Sequence, residues 1–162
     1  MNTRVGIGYD SHRYAAGRPL RLAGVTVPHT HGLVGHSDGD AALHALIDAL
    51  LGAAALGDIG QHFPDDDPQW RGADSSRLLR RVVEKLQEAG FAVGQADITV
   101  VADRPKIGHL IGAMRAATAK ALGVDQSRVS IKAKTNEGMG WLGRGEGVAA
   151  VAVATVESAA TG

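Results

Sequence analysis

The stretch from Val148 to Ser158, "VAAVAVATVES", is the sequence feature that most restricts the fold. It has the composition of a β-strand, yet small or apolar residues occupy both of its faces from Val148 to Val156. A sheet with helices on one side normally leaves its other face to water. The pattern therefore predicts a strand whose second face is also covered, most simply by copies of the same chain.

The other segments complete an α+β fold, with one domain over residues 1–162 and a mixed sheet covered on one face by helices. Alternating or short apolar runs predict further strands, one pair of them in a hairpin, at 4–14, 18–28, 91–103 and 128–135. Capping residues and apolar periodicity predict helices from Ser37 or Asp38 to about Gly57, from Asp74 or Ser75 to Gly90, and over 106–124. Prolines and acids predict a loop over 58–75, and glycines predict a turn over 136–147.

Composition excludes several classes of function. The 17 basic and 17 acidic residues balance, which argues against a nucleic-acid-binding protein. Cysteine is absent, so disulfides, thiolate metal sites and cysteine nucleophiles are excluded. We find neither a signal peptide nor an apolar run long enough to span a membrane, and we expect a soluble cytoplasmic protein without a membrane partner.

Asp10, His12 and His44 form the candidate metal site. Asp10 and His12 lie two residues apart on a predicted strand, so their side chains share a face at a spacing of about 7 Å. His44 lies on the following helix, and an Asp–His–His set suits zinc with one open position. Asp48, one turn later, is predicted to accept from the second ring nitrogen of His44. Spacing alone also fits a strand histidine paired with Asp10 and a solvent-facing His44.

Three polar loops accompany these residues. The "GHSDGD" loop carries His36 and Ser37 immediately before a helix, where anions are favoured. The "FPDDDP" loop could hold hydroxyls or a phosphate-bound cation, or could be a solvated acidic loop. The "KAKTNEG" and "GRGEG" segments offer polar groups that include Glu137 and Arg144, each of which could also be an ordinary surface or turn residue.

Together these residues resemble the 2-C-methyl-D-erythritol 2,4-cyclodiphosphate synthases of the non-mevalonate route to isoprenoid precursors. The resemblance runs in order along essentially the whole chain and is carried by "GYDSHRY", "LAGVTVP", "ADRPKI", "GRGEGVAA" and the long "GLVGHSDGDAALHALIDALLGAAALGDIGQHFPDDDP". The part from Gly35 to Pro68 is the most specific, because the acid–histidine loop, the helix and "DIG…HFPD" occur together.

The resemblance implies a homotrimer with sheets facing its threefold axis and active sites between neighbouring subunits. It implies zinc or a similar ion at Asp10, His12 and His44, and magnesium or manganese on the substrate diphosphate with help from Glu137. Around the phosphorylated methylerythritol it places His36 and Ser37 of a closing loop, the hydroxyl-binding Asp58, Ile59 and Gly60, and beside them Phe63, Pro64, Asp65, Asp66 and Asp67.

The resemblance also implies that a neighbouring chain supplies the cytidine pocket. Its residues would be Ala102, Asp103, Arg104, Pro105, Lys106, Ile107 and Gly108, followed by Lys134, Thr135 and Asn136. Thr135 takes the phosphate-positioning place, whereas Lys134 and Asn136 depart from the run of threonines that is common in the family. Trp141 stands where phenylalanine is frequent. By the resemblance, Arg144 and Glu146 would line the trimer axis, where Arg144 could bind the diphosphate of a downstream isoprenoid. Alternatively, the two residues would form an ion pair that stabilises the trimer.

The implied reaction is attack of the substrate's own 2-phosphate on its β-phosphorus, with release of CMP. This reaction needs no protein nucleophile, which agrees with the absence of cysteine and of a serine–histidine–acid set. Two other classes stay open on the residues alone. A metal-dependent phosphoesterase would use the same three ligands with an activated water. A non-catalytic trimer would bind only metal or an isoprenoid.

Overall fold

A five-stranded mixed sheet is the framework of the protein, in a computed structural model that describes residues 2–158. The strand order is β4–β1–β7–β5–β6, and only the β5–β6 pair is parallel. A separate hairpin joins β2 and β3. The strands are β1 Asn2–Ala16, β2 Leu20–Leu22, β3 Val25–Val27, β4 His31–Leu33, β5 Phe91–Val101, β6 Val129–Lys134 and β7 Gly147–Ser158.

Helices cover one face of this sheet, and the predicted α+β class is confirmed. The three long helices pack on β1, β5, β6 and β7, and two short ones lie in loops. Their bounds are α1 Ala41–Ala53, α2 Ile59–His62, α3 Ser75–Glu88, α4 Ile111–Leu122 and α5 Gly140–Gly143. None of the helices within residues 2–158 is long and apolar enough to cross a membrane.

Several predicted boundaries are wrong for local reasons. Helix α1 begins at Ala41, because the Asp40 side chain caps it by accepting from the Leu43 amide. Helix α4 begins at Ile111, after a 3₁₀ turn over Gly108–Leu110. The predicted loop over 58–75 contains α2 and a second 3₁₀ turn at Pro68–Trp70. Strand β4 and helix α5 were not predicted.

Helix α1 packs directly on the backbone of β1. A Cβ atom added at Gly6 would lie 2.0 Å from the Ala49 carbonyl oxygen, and one at Gly8 would lie 1.9 Å from that of Ala45. Only glycine allows this approach. Glycines alternate along β1 with the outward-facing Val5, Ile7 and Tyr9, so one face of the strand receives the helix. The close contact brings the first turn of α1 beside Asp10 and His12.

On β1 and β7 the opposite face of the sheet is apolar and exposed. Val5, Ile7 and Tyr9 are 68%, 71% and 58% exposed, and Val153 on the neighbouring strand is 40% exposed. The alternate residues of β7, such as Ala152 and Ala154, are buried under the helices. The apolar second face predicted from Val148 to Val156 is therefore present on β7 and continues onto β1.

Replacing Gly8 by alanine should strongly destabilise the protein, because the new methyl group would collide with α1 backbone. Overpacking of this kind costs about 1–3 kcal/mol or more. The matched control is Gly52→Ala, since a Cβ atom there meets nothing within 4 Å and the position lies within α1. The control should gain about 0.5–1 kcal/mol. Urea unfolding of both variants checks this, and equal stabilities would contradict the packing argument.

Candidate functional site

Asp10, His12 and His44 meet at one point between β1 and α1. The His12 Nε2 atom lies 2.7 Å from Asp10 Oδ2, and His44 Nδ1 lies 3.2 Å from the same oxygen. The two ring nitrogens are 3.1 Å apart. Within residues 2–158, these three form the group of metal-ligating side chains whose donor atoms converge. The solvent-facing alternative for His44 is excluded, because the residue is only 8% exposed.

The protonation of each member of this cluster affects cation binding. His12 Nδ1 lies 2.6 Å from the Val34 carbonyl oxygen and donates to it, which leaves Nε2 of the neutral ring with a free lone pair. Burial opposes ionisation of Asp10, but the contacts of its carboxylate with the His12 and His44 rings prevail and lower the pKa of this group to about 2. Burial also opposes charge on His12, yet the neighbouring Asp10 carboxylate raises the pKa of that ring, so a proton and a metal ion compete for its Nε2 atom.

Two nitrogen atoms and one carboxylate oxygen are a donor set that zinc and similar divalent ions accept. The ligands come from a strand and a helix that are locked together by the glycine contacts, so the donor atoms are held without a mobile loop. The residues therefore fit a metal ion, and the coarser prediction of a metal-binding group is supported by the geometry.

The predicted contact of Asp48 with His44 is wrong. Asp48 Oδ1 accepts from the Ile59 amide at 2.7 Å and so holds the start of α2. Burial raises the pKa of the Asp48 carboxyl. His44 Nε2 instead faces the hydroxyl oxygens of Ser75 and Ser37, at 2.8 and 3.0 Å. Asp48 lies one turn further along α1 than His44. Its side chain hydrogen-bonds to the segment that follows the helix.

The three donor atoms open into a cleft of about 370 Å³, here called the metal cleft. The three predicted metal ligands and most of the predicted phosphosugar-binding residues line it. They are Asp10, His12, His36, Ser37, His44, Ile59, Gly60, Phe63 and Asp65, joined by Val34, Gly35, Trp70 and Leu78. Asp58, Pro64, Asp66 and Asp67 belong to the same two loops but are not among the lining residues.

Contacts between loops shape the metal cleft. His36 Nε2 donates to the Asp67 carbonyl oxygen at 3.1 Å, which ties the "GHSDGD" loop to the acidic loop. Phe63 and Trp70 pack edge to face with centroids 4.9 Å apart. Asp58 caps α2 by accepting from the Gln61 amide at 3.0 Å. The acidic loop therefore forms one wall of the cleft, while Asp65 and Asp66 remain exposed to solvent.

A second cleft of about 170 Å³, here called the nucleotide cleft, gathers most of the residues predicted for cytidine. Its lining consists of Ala102, Asp103, Pro105, Lys106, Ile107, Gly108, Ala133, Lys134 and Thr135. Asp103 accepts from the amides of Asn136 and Gly138, at 2.6 and 2.9 Å, so its carboxylate fastens two loops together. No residue of the described chain lines both the metal cleft and the nucleotide cleft.

The remaining predicted residues lie apart from these two clefts. The Arg104 carbonyl accepts from the Tyr14 hydroxyl at 2.6 Å. Glu137 is exposed and has a left-handed backbone with φ 54°. Trp141 lines a third cleft with His12 and Glu146. Arg144 Nε donates to Glu146 Oε2 at 2.8 Å, with both side chains mostly exposed.

Sequence reasoning missed several contributors to the metal cleft and its surroundings, among them two that lie behind His44 and two that form the edge of the cleft. Ser75 contacts His44, and Asp38 accepts from Ser75. Val34 contributes its carbonyl oxygen, and Trp70 forms part of the wall. Ser75 was recognised only as a helix cap, and a backbone carbonyl leaves no signal in a sequence. The acid in "GHSDGD" was the available signal for Asp38.

Comparison with known proteins decides the family. A model of the YgbB family matches residues 3–157. The chain belongs to the YgbB family. The 2-C-methyl-D-erythritol 2,4-cyclodiphosphate synthase of Bordetella petrii is 61% identical over 156 residues, which are 96% of each chain. The resemblance inferred from the sequence motifs is therefore confirmed.

Solved structures of YgbB-type synthases agree. A 2C-methyl-D-erythritol-2,4-cyclodiphosphate synthase in a CDP-bound form matches with a TM-score of 0.87 and 42% identity, covering 95% of this chain and 100% of the other. The bifunctional IspDF of Campylobacter jejuni matches with a TM-score of 0.93 and 41% identity. The match covers 98% of this chain but 43% of that longer one.

Replacing Asp48 by alanine should leave metal affinity within about twofold of wild type, because the side chain contacts α2 and not His44. The same change should speed amide hydrogen exchange in α2, whose first amide loses its acceptor. Zinc competition with a chromophoric chelator and hydrogen exchange would measure the two effects. A large loss of zinc affinity with unchanged exchange would restore the predicted contact with His44.

Proposed function

We propose that the protein converts 4-diphosphocytidyl-2-C-methyl-D-erythritol 2-phosphate to 2-C-methyl-D-erythritol 2,4-cyclodiphosphate and CMP. The observation that carries the proposal is the convergence of Asp10, His12 and His44 at the base of the metal cleft, in a chain of this family. The relative from Bordetella petrii bears the name of this activity. The product is a precursor in non-mevalonate isoprenoid biosynthesis.

The reaction needs alignment and charge neutralisation more than a protein nucleophile. An oxygen of the 2-phosphate bonds to the β-phosphorus, the bond from that phosphorus to the α–β bridging oxygen breaks, and CMP leaves. Divalent ions, zinc at Asp10, His12 and His44 and magnesium or manganese near Glu137, would neutralise the phosphates and polarise the reacting oxygens. Alignment of two groups in one molecule supplies up to roughly 7–11 kcal/mol in favourable cases.

The walls of the metal cleft would hold the phosphosugar. His36 and Ser37 would bind phosphate from the "GHSDGD" loop, and the contact of His36 with the acidic loop would shield the reaction from water. Asp58, Ile59 and Gly60 would contact the sugar hydroxyls. Phe63 and the adjacent acidic residues through Asp67 would stand beside them, with Phe63 held by Trp70.

The nucleotide cleft would take the cytidine diphosphate part. The CDP-bound form of a similar synthase supports a cytidine diphosphate ligand for this family. Lys106 and Lys134 line the cleft with Thr135, and they supply cationic groups and a hydroxyl for phosphate oxygens. Thr135 would position the phosphate at the point of reaction, with its hydroxyl also accepting from the Glu137 amide at 3.2 Å. Asp103 would act indirectly, by holding Asn136 and Gly138 in place.

A homotrimer would unite the two clefts. The metal and nucleotide clefts of one chain share no lining residue, and the open sheet face carries Val5, Ile7, Tyr9 and Val153. Burying that face against two other copies would remove apolar surface from water and bring a neighbour's nucleotide cleft to each metal cleft. Trp141, which shares a cleft with His12, would border the same junction.

Arg144 and Glu146 keep two roles within this proposal. Their ion pair would either lock the trimer or part to bind an isoprenoid diphosphate at its axis. Geranyl diphosphate binding to the wild-type and Arg144→Ala trimers separates the roles. Equal binding would exclude Arg144 as its ligand, and lower binding with an intact trimer would support the regulatory role.

Phosphorus NMR of the reaction products tests the function. Purified protein with the cytidylyl substrate and magnesium should give cyclic diphosphate and equimolar CMP. CMP with only linear products would indicate a phosphoesterase, and no reaction by the zinc-loaded protein would indicate a binding protein.

His44→Ala should abolish bound metal and nearly all turnover, because one of three ligands and the buried end of the site are lost. Metal analysis and the same phosphorus assay measure both losses. Full activity in a variant that has been analysed for metal would contradict the ligand assignment.

Ile7→Glu should shift the protein toward monomers and lower turnover, because a charge would be buried in the proposed apolar interface. Ala116→Glu is the matched control, since this exposed residue lies on α4 in the helical layer. Light scattering after size exclusion measures the assembly. A trimeric and active Ile7→Glu variant would contradict this interface.

A further inference from the structure

His44 makes a second set of polar contacts through the ring nitrogen that does not face Asp10. Its Nε2 atom lies 2.8 Å from the Ser75 hydroxyl oxygen. The same hydroxyl makes a short hydrogen bond to Asp38 Oδ1. Ser75 is fully buried, so its hydroxyl has these two partners in place of water. The three residues therefore form a chain that ends at the metal ligand.

Asp38 is held firmly at the far end of this chain. Its Oδ1 accepts from the Asp40 amide at 3.1 Å, and its Oδ2 accepts from the Ser75 amide at 3.0 Å. Arg21 Nε lies 3.9 Å from Oδ2 and adds a favourable charge. Two amide donors and a guanidinium stabilise the ionised carboxylate of Asp38. An ionised carboxylate can only accept hydrogen bonds.

The direction of each hydrogen bond follows from this anchor. The Ser75 hydroxyl must direct its proton to Asp38, so its oxygen is left to accept from His44 Nε2–H. A neutral imidazole carries one proton. Nδ1 of His44 is then unprotonated, and it is this atom that faces Asp10 Oδ2 at 3.2 Å.

We infer that Ser75 and Asp38 are positioning residues, which fix His44 with its proton on Nε2 and its Nδ1 lone pair directed at the metal. The inference rests on the metal-binding part of the proposed function and adds residues outside the ligand set. Val34 has the corresponding role for His12, through its carbonyl oxygen. Groups that orient metal-bound histidines in this way typically contribute 10- to 100-fold in metal affinity.

Ser37 is the rival acceptor for the same proton. Its hydroxyl oxygen lies 3.0 Å from His44 Nε2, slightly farther than that of Ser75. Within the described chain, the hydrogen bonds of Ser37 include none from its hydroxyl to a carboxylate, so nothing fixes its direction. We therefore assign the orienting role to Ser75 and expect Ser37→Ala to leave metal affinity nearly unchanged.

Zinc competition tests the assignment in the full chain. Ser75→Ala should weaken zinc binding by roughly 10- to 100-fold, and Asp38→Asn should weaken it in the same direction. Ser76→Ala is the matched control, because it removes a hydroxyl from the next position of α3 without a contact to His44. Unfolding curves of all variants establish that each is folded. Ser75→Ala with wild-type affinity would overturn the inference, as would a larger loss in Ser37→Ala.

Nitrogen-15 NMR of the zinc-loaded protein supplies a readout that a merely structural role would not change. In wild type, His44 should show a slowly exchanging proton on Nε2 and a metal-shifted Nδ1. In Ser75→Ala that proton should exchange much faster, while the His12 Nδ1 proton, held by Val34, should not change. A His44 ring that binds zinc through Nε2 would overturn the assignment. Wild-type protein that binds no zinc would overturn the metal site itself, which is a distinguishable result.

Discussion

The contact between α1 and the glycine side of β1 determines the geometry on which the site depends. Because Gly6 and Gly8 have no side chains, the helix backbone approaches the strand to a distance that any Cβ atom would prevent. Asp10 and His12 follow Gly8 on the same face of β1. Their side chains contact His44 of the helix. A strand with two glycines followed by two ligands thus both seats the helix and forms the cluster.

Around this contact, buried carboxylates are satisfied by backbone amides. Asp40 is fully buried, and burial raises the pKa of its carboxyl, yet it accepts from the amides of Ala23, Gly24 and Leu43. It therefore joins the β2–β3 hairpin to the start of α1. Asp38 does the same between the "GHSDGD" loop and α3. Such bonds offset the cost of burying acids, and they hold the loop that carries the proposed phosphate ligands.

Much of the architecture could be predicted because strand and helix periods are read directly from apolar residues. The alternation in β1 placed Asp10 and His12 on one face, and the apolar stripe placed α1 after it. The hydrogen-bond partner of His44 could not be predicted, since helical spacing identifies side chains on the next turn but not those from distant segments. Asp48 looked like its acceptor by spacing alone, but Ser75, from a distant segment, occupies that position. Short elements such as β4 and α5 depend on tertiary contacts and have too few residues to show a period.

If the proposed trimer forms, the division of the proposed site between two clefts would give the open face of the sheet a function in catalysis. A single chain places Asp10, His12 and His44 in one cleft and Lys106 and Lys134 in another, and we propose that the first binds the phosphosugar and the second the nucleotide. If a neighbour completes the site, every apolar contact made by Val5, Ile7 and Tyr9 also sets the distance between the two reacting phosphates. Assembly of the trimer would then also align the reacting phosphates. The reason is that β1 holds Asp10 and His12 on one face and would form the interface with its other face. The proposed trimer would account for the exposed apolar stripe of β1, because such a stripe is unfavourable on a monomer.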